Sequence, residues 1–297
     1  MLLKHLRTFT AAAETVSFTQ AARRLHITQA AVSQHIAALE RECGAKLFDR
    51  AARSVALTEA GVKLRDYATR ILELVEEATA VVGGTEPAVG GRLRIAASTV
   101  PAEQLLPKLL AEFRKQFPQI HESITISDSR EALAVLKRGD ADVALVGERI
   151  ETLPLVFSPI AEDTLILVVS PQHEWAARQF VTPQSLPHQP LILRESGSGS
   201  RHCVEHALAQ KGLALESFNI AMEVNSNDAI RAAVVQNAGV AFLSSLTAAA
   251  DLEAGTLVRV RVRGLAAVRQ LFLVTDPRRT ISRSAAEFIQ FVESNRD

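Results

Sequence analysis

The chain is poor in the residues that staple or anchor a protein. Its 297 residues include 2 cysteines, 2 methionines, 1 tryptophan and 1 tyrosine, and aromatics make up only 5%. Cys43 and Cys203 fall in what read as different domains, which argues against a disulfide framework and for a reducing, cytoplasmic setting. No apolar run approaches the roughly 20 residues that a bilayer span needs, so no membrane partner is expected. The opening stretch is interrupted by Lys4 and Arg7 and lacks a signal-peptide layout. Neither sign of charge is in excess, with 33 Lys and Arg against 33 Asp and Glu. A hydrophobic share of 47% nevertheless supports packed cores, and the length predicts two or three units.

The zero net charge hides an asymmetry. Residues 1–60 hold 8 Lys and Arg against 5 Asp and Glu, whereas the remainder holds 25 against 28. A basic head on a mildly acidic body fits a phosphate-meeting module joined to one that meets none.

Within that head, Leu3, Leu6, Phe9 and Ala13 recur at helical spacing. Ser17 precedes a short helix carrying Phe18, Ala21, Ala22 and Leu25 on one face. His26-Ile27-Thr28 is a tight break, and Thr28 can cap a third helix from Gln29 to about Glu42 that buries Val32, Ile36 and Leu39. Gly44 ends it. Two short helices around such a turn make a helix-turn-helix. Lys46–Arg50 and Ser54–Thr58 can then form a two-stranded wing with Ala51-Ala52-Arg53 at its tip.

A long helix from about Thr58 to Val82 follows. Leu64, Ala68, Ile71, Val75, Ala78 and Val82 form a heptad-like seam flanked by charge, which predicts pairing with a second copy rather than packing on its own domain. Gly83-Gly84 through Gly90-Gly91 reads as a hinge. From Arg92 onward, strands such as Leu93–Ala97, Ile124–Ile126 and Asp142–Val146 alternate with helices. A second such run contains Leu165–Val169, Leu191–Leu193, Asn219–Val224 and Val240–Leu243, and Gln270–Thr275 with a helix over Ser282–Val292 closes the chain. This order predicts two α/β lobes with parallel sheets and a ligand cleft between them.

Phe18, Ala21, Ala22, Leu25, Gln29, Val32, Ser33, Ile36, Leu39, Glu40, Gly44, Leu47, Phe48, Arg50, Leu57, Thr58, Ala60 and Gly61 stand in a register that resembles the signature of LysR-type transcriptional regulators. The resemblance covers nearly the whole chain. It implies a winged helix-turn-helix over residues 1–60, a linker helix and hinge over 61–91, and a two-lobed, periplasmic-binding-protein-like effector domain over 92–297. Lobe I is expected at 92–162 and 267–297, and lobe II at 163–266. The stretch Arg194-Glu195-Ser196-Gly197-Ser198-Gly199-Ser200-Arg201 further resembles the CysL-like and CbbR-like branch, whose members sense small anions or phosphorylated metabolites. The implied partners are double-stranded promoter DNA, a small-molecule effector, RNA polymerase for an activator, and further copies of the chain as dimer and tetramer. No cofactor is implied.

For DNA, the start of the third helix offers Thr28, Gln29, Ala30, Ser33, Gln34 and His35. Glutamine reads adenine through two hydrogen bonds in the major groove, and the helix N-terminus holds a phosphate. In the family an Arg or similar donor often stands where this chain has Gln34, which leaves base preference open. Arg50 and Arg53 of the wing are expected on the DNA backbone or minor groove. For the effector, Ser98-Thr99 and Ser196-Gly197-Ser198 each lie between a strand and a helix, a pair of loops able to hold an oxyanion without a buried cation. Arg201 either adds charge or pairs with Glu195, and Asn225 is a third contact. Asp128 would repel an anion unless it faces away.

Other chemistries were weighed. His202 and His206 stand one helical turn apart, as metal ligands do, but only Cys203 and Glu205 are at hand to complete a set. Cys203 near a helix start could be an acidic thiol, yet no second cysteine is there to resolve its oxidation. The SGSG stretch is neither a phosphate-cradling loop nor a nucleophile elbow. A ligand-binding enzyme and a non-specific architectural DNA binder remain as alternatives, and no catalytic residue or metal site is assigned.

Overall fold

The computed structural model describes residues 1–49, 56–82, 90–151, 153–279 and 281–295. The chain divides into two compact units, Met1–Ala88 and Val89–Asp297.

In the first unit, α1 (Leu3–Thr15), α2 (Phe18–Arg24) and α3 (Gln29–Cys43) precede β1 (Phe48–Asp49), β2 (Ala56–Leu57) and α4 (Glu59–Val82). The capping chemistry is as the sequence predicts. Ser17 Oγ accepts from Gln20 N, Thr28 Oγ1 accepts from Ala31 N, and Gly44 takes φ +66° at the end of α3. β1 and β2 pair antiparallel, Phe48 opposite Leu57. Phe9, Ala21, Ala22, Val32, Ile36, Leu39 and Phe48 form the core. Buried Glu40 ties α3 to β1, its Oε1 accepting from Leu47 N and Phe48 N and its Oε2 from Lys46 Nζ. Gly61 is packed so closely that a Cβ there would overlap Leu47 O.

The predicted seam of α4 divides. Ala68 is fully buried in this unit's own core, with Leu64 and Ile71 packed beside it. That half serves the domain, because α4 lies along α1 and its apolar stripe is used there. Tyr67, Leu74 and Val82 stand exposed instead.

The second unit contains β3 (Gly90–Ser98), α5 (Leu106–Gln116), β4 (Gln119–Ser127), α6 (Ser129–Arg138), β5 (Val143–Val146), β6 (Val156–Val169), β7 (Phe180–Val181) and β8 (Leu191–Arg194). It continues with α7 (Gly199–Ala209), β9 (Ile220–Val224), α8 (Asn227–Val235), β10 (Val240–Ser244), α9 (Ser245–Ala254), β11 (Val258–Val262), β12 (Ala267–Thr275) and α10 (Arg283–Ser294). The sheet runs β4-β3-β5-β12-β6-β10-β8-β9, with β11 on β6 and β7. β3 pairs parallel with β4 and β5, and β8 pairs parallel with β9 and β10. The inner strands β5 and β10 are buried throughout, which is why Val143–Val146 and Val240–Leu243 read as unbroken apolar runs. The two groups are joined by β6 and β12, long antiparallel strands that belong to both.

Four features were not read from the sequence. β6 begins at Val156, well before the apolar run at Leu165, because its first half is only half-buried and alternates weakly. β11, α9 and the short β7 were also missed; the alternating Val258-Arg259-Val260-Arg261-Val262 is the signal that would have revealed β11.

Candidate functional site

In the first unit, Ala30, Gln34, Ala37 and Arg41 lie exposed at steps of 4, 3 and 4 on α3. They form one helical stripe opposite the buried Val32, Ile36 and Leu39. Thr28 and Gln29 are exposed at its start, and Ser33 is half-buried beside it. His35 is placed differently from expectation. Its Nδ1 lies 2.9 Å from Thr8 Oγ1, and its ring lies 5.0 Å from that of His5. Burial first, then the charges of His5 and Lys4, hold its pKa below the ordinary imidazole value. It joins α3 to α1, half-buried and away from the exposed stripe. The spacing of 32, 35 and 39 already put it on the inner face. Arg50 and Arg53, with Ser54 and the wing tip, lie outside the described residues.

In the second unit, a bowl opens where the two strand groups meet. Ser98, Ser129, Ser198 and Ser200 line it and are all buried. Among the described residues nothing takes up their hydroxyls in a hydrogen bond. The starts of three helical segments converge there: the turn after β3 at Thr99, α6 at Ser129, and α7 at Gly199. A helix start carries partial positive charge from the first-turn N–H groups that lack helical partners. The remaining volume, about 10 Å³, admits one water-sized group.

Two buried arginines adjoin the bowl, contrary to the expectation of a site without a cation. Arg194 donates through Nε and Nη2 to Glu195 at 2.8 Å, through Nη1 to Asn227 Oδ1 at 2.8 Å, and across to Thr99 Oγ1 at 3.2 Å. Arg269 donates through Nε and Nη2 to Asp163 Oδ2, while Ser244 Oγ donates to Asp163 Oδ1 at 2.6 Å. Arg269 closes one side of the bowl. Arg194 stood in the quoted stretch but was passed over, because an arginine ending a strand looks like a surface charge.

Other expected contacts fall elsewhere. Ser196 is exposed and does not line the bowl. Gly197 does not line it either; it is packed on the Asp128 carboxylate, which a Cβ would displace. Arg201 pairs with Glu205 and Glu223 and donates to Arg194 O, so its charge is consumed on the flank of α7, and Glu195 belongs to Arg194. Asn225 is exposed, and the residue turned inward is its neighbour Asn227. Asp128 lines the bowl and caps α6, its Oδ1 accepting from Glu131 N at 2.8 Å.

A second, larger pocket of about 550 Å³, here called the vestibule, shares Gly199 and Arg269 with the bowl. Glu148, Arg149, His202, Cys203 and His206 contribute to its wall. His202 Nδ1 lies 2.8 Å from Glu148 Oε1, and His206 bonds Gln210. Among the described residues no three His, Cys, Asp or Glu are grouped to hold a metal. Burial, more than the opposing pull of Arg269, pushes the Cys203 thiol up.

A helix-turn-helix unit and a two-lobed unit with a serine-lined bowl together define the class of ligand-responsive DNA-binding regulators. Residues 3–62 match the bacterial regulatory helix-turn-helix protein, lysR family, and residues 88–296 match the LysR substrate binding domain. The chain belongs to the LysR family of transcriptional regulators. It is 34% identical over 98% of both chains to an uncharacterized HTH-type transcriptional regulator of Methanocaldococcus jannaschii. It is 35% identical to a probable RuBisCO transcriptional regulator of Cyanidioschyzon merolae, over 86% of this chain and 85% of the relative. The fold is shared with the Synechocystis CcmR regulatory domain, solved in complex with 2-PG, at a TM-score of 0.64 and 22% identity, over 70% of this chain and 98% of that one. Among the described residues no helix is long and apolar enough to cross a membrane.

Proposed function

We propose that the chain is a cytoplasmic regulator whose effector is a small oxyanion or phosphorylated metabolite seated in the serine bowl. The observation that carries this is the set of four serine hydroxyls on otherwise buried residues, open to the bowl and without protein partners, beside three helix starts. Hydroxyls and helix N-termini converging on one small space suit a ligand rich in acceptors. The RuBisCO-regulator relatives and the 2-PG complex of the Synechocystis domain favour a phosphorylated compound of carbon metabolism.

On the DNA side, Gln29, Ala30, Ser33 and Gln34 read base edges, Thr28 and the α3 N-terminus hold a phosphate, and Arg50 and Arg53 of the wing contact the backbone. The exposed Tyr67, Leu74 and Val82 of α4 pair two copies. Exposed Ile124 and Ile126 on edge strand β4, and Ile220 and Met222 on edge strand β9, bring dimers into a tetramer. Effector binding biases the assembly because it is tighter to one arrangement than to another, and an activating arrangement would engage RNA polymerase.

The test is thermal unfolding against sulfate, sulfite, phosphate, phosphoglycolate, ribulose bisphosphate and NADPH. A ligand at 100 times its Kd stabilises by about 2.7 kcal/mol. One anion is expected to raise the melt in the parent chain and to lose that effect in Ser198→Ala. A shift that survives Ser198→Ala would remove the bowl from the account.

A further inference from the structure

We propose that the effector carries an ammonium group beside its acid group, and that Glu148 receives it. The inference rests on the bowl being the effector site and adds the class of molecule that fills it.

Charge is the first reason. Both arginines next to the bowl are already neutralised, Arg194 by Glu195 and Arg269 by Asp163. Asp128 in the bowl and Glu148 in the adjoining vestibule then have no lysine or arginine upon them, Glu148 being engaged only by His202. A ligand that is only an anion meets carboxylates nearby that no fixed cation neutralises. Paired hydroxyls and helix N-termini would offset that in part, but a positive group on the ligand would offset it directly.

Glu148 itself is the second reason. Its Oε1 is engaged by His202, whereas its Oε2 is buried without a hydrogen-bond partner. A buried carboxylate oxygen left unpaired is costly, and a donor from the ligand relieves it.

Geometry is the third. A Cβ on Gly199 would lie 3.0 Å from Ser129 Oγ and 3.0 Å from Glu148 Cβ, so the serine bowl and the Glu148 side chain both pack close to the same point on the α7 N-terminus. A side chain at Gly199 would crowd both. The bowl has room for little more than one oxygen of an acid group, and the vestibule takes the rest of the molecule. An acid group and an ammonium one or two carbons apart span the bowl and Glu148. A second anionic group would reach toward Arg149, exposed in the vestibule wall.

The matched probes are O-phospho-L-serine and 3-phosphoglycerate, which share a skeleton and differ in an ammonium against a hydroxyl at the central carbon. Their dissociation constants for the full chain are measured by titration calorimetry, with inorganic phosphate alongside. A charge-assisted hydrogen bond in a half-buried site is expected to favour O-phospho-L-serine by about tenfold or more. Glu148→Gln keeps the shape and an acceptor for His202 and removes the charge. It is expected to weaken O-phospho-L-serine and strengthen 3-phosphoglycerate, an opposite movement that a loss of folding cannot produce. Equal or tighter binding of 3-phosphoglycerate to the parent chain overturns the proposal. So does binding of phosphate without either organic probe, while the effector bowl stands. If inorganic phosphate and both organic probes all fail to bind, the bowl reading falls, and this inference with it.

Discussion

The carboxylate of Asp163 is fully buried, with Arg269 on one oxygen and Ser244 on the other. Removing one partner of such a pair strands the other charge in a low dielectric, at a cost of about 3–5 kcal/mol. Asp163→Ala is therefore expected to lower the urea midpoint of the second unit strongly. Lys63→Ala, which breaks only the exposed pair with Glu59, is expected to leave the midpoint where it was. Glu40 offers a pH-dependent counterpart in the first unit. Burial alone would raise its carboxyl, but the N–H groups of Leu47 and Phe48 and the Lys46 ammonium outweigh it and hold the pKa below its usual 4.5. A depressed pKa means stability that is present above about pH 4.5 and lost as the pH falls through the folded value. Glu40→Gln should thus be less stable than the parent at pH 7, with the gap narrowing below pH 4.5; a gap of constant size in denaturant titrations would refute the assignment. At this scale the sequence was least legible. Arg194 and Arg269 acquire their roles from contacts across 95 and 106 residues of chain, Ser129 from its place beside Gly199 of α7, and nothing local marks them. His35 was the opposite case, since its helical spacing already opposed a DNA role.

Elements were far easier to read. Thr28 before an apolar-periodic run and Gly44 after it gave α3 its two ends, because capping is a local interaction. Thr28→Ala is expected to cost about 1 kcal/mol of stability in the first unit, read from its thermal midpoint. The α4 seam was read correctly as apolar and periodic, but periodicity does not say which surface covers it. Ala68 answers to α1, and the stripe left exposed is shifted to Tyr67, Leu74 and Val82. Replacing Tyr67 and Leu74 with Glu is therefore expected to turn a self-associated species into a lighter one in sedimentation at micromolar concentration, with the first unit still folded by circular dichroism. Unchanged mass would mean that this face does not pair. The first half of β6 was missed for a related reason, since a strand only half-covered carries little apolar signal, whereas the Val-Arg alternation of β11 was legible.

For the whole molecule, the central claim is that one chain reads a DNA sequence and that an anion in the serine bowl alters the reading. Phosphate contacts alone bind all sequences alike, whereas base-edge contacts separate them. Gln34→Ala should accordingly reduce the preference for a chosen site over random sequence, and equal losses on both would remove Gln34 from the reading head. The most direct measurement takes a duplex selected by the full chain from a random pool and titrates it at fixed salt, by fluorescence anisotropy, with and without the anion that raises the thermal midpoint. The account predicts tighter binding to the selected duplex than to a scrambled one, an affinity or bend that changes when the anion is added, and loss of that change in Ser198→Ala. Equal binding to both duplexes, or binding that the anion leaves untouched, would contradict it.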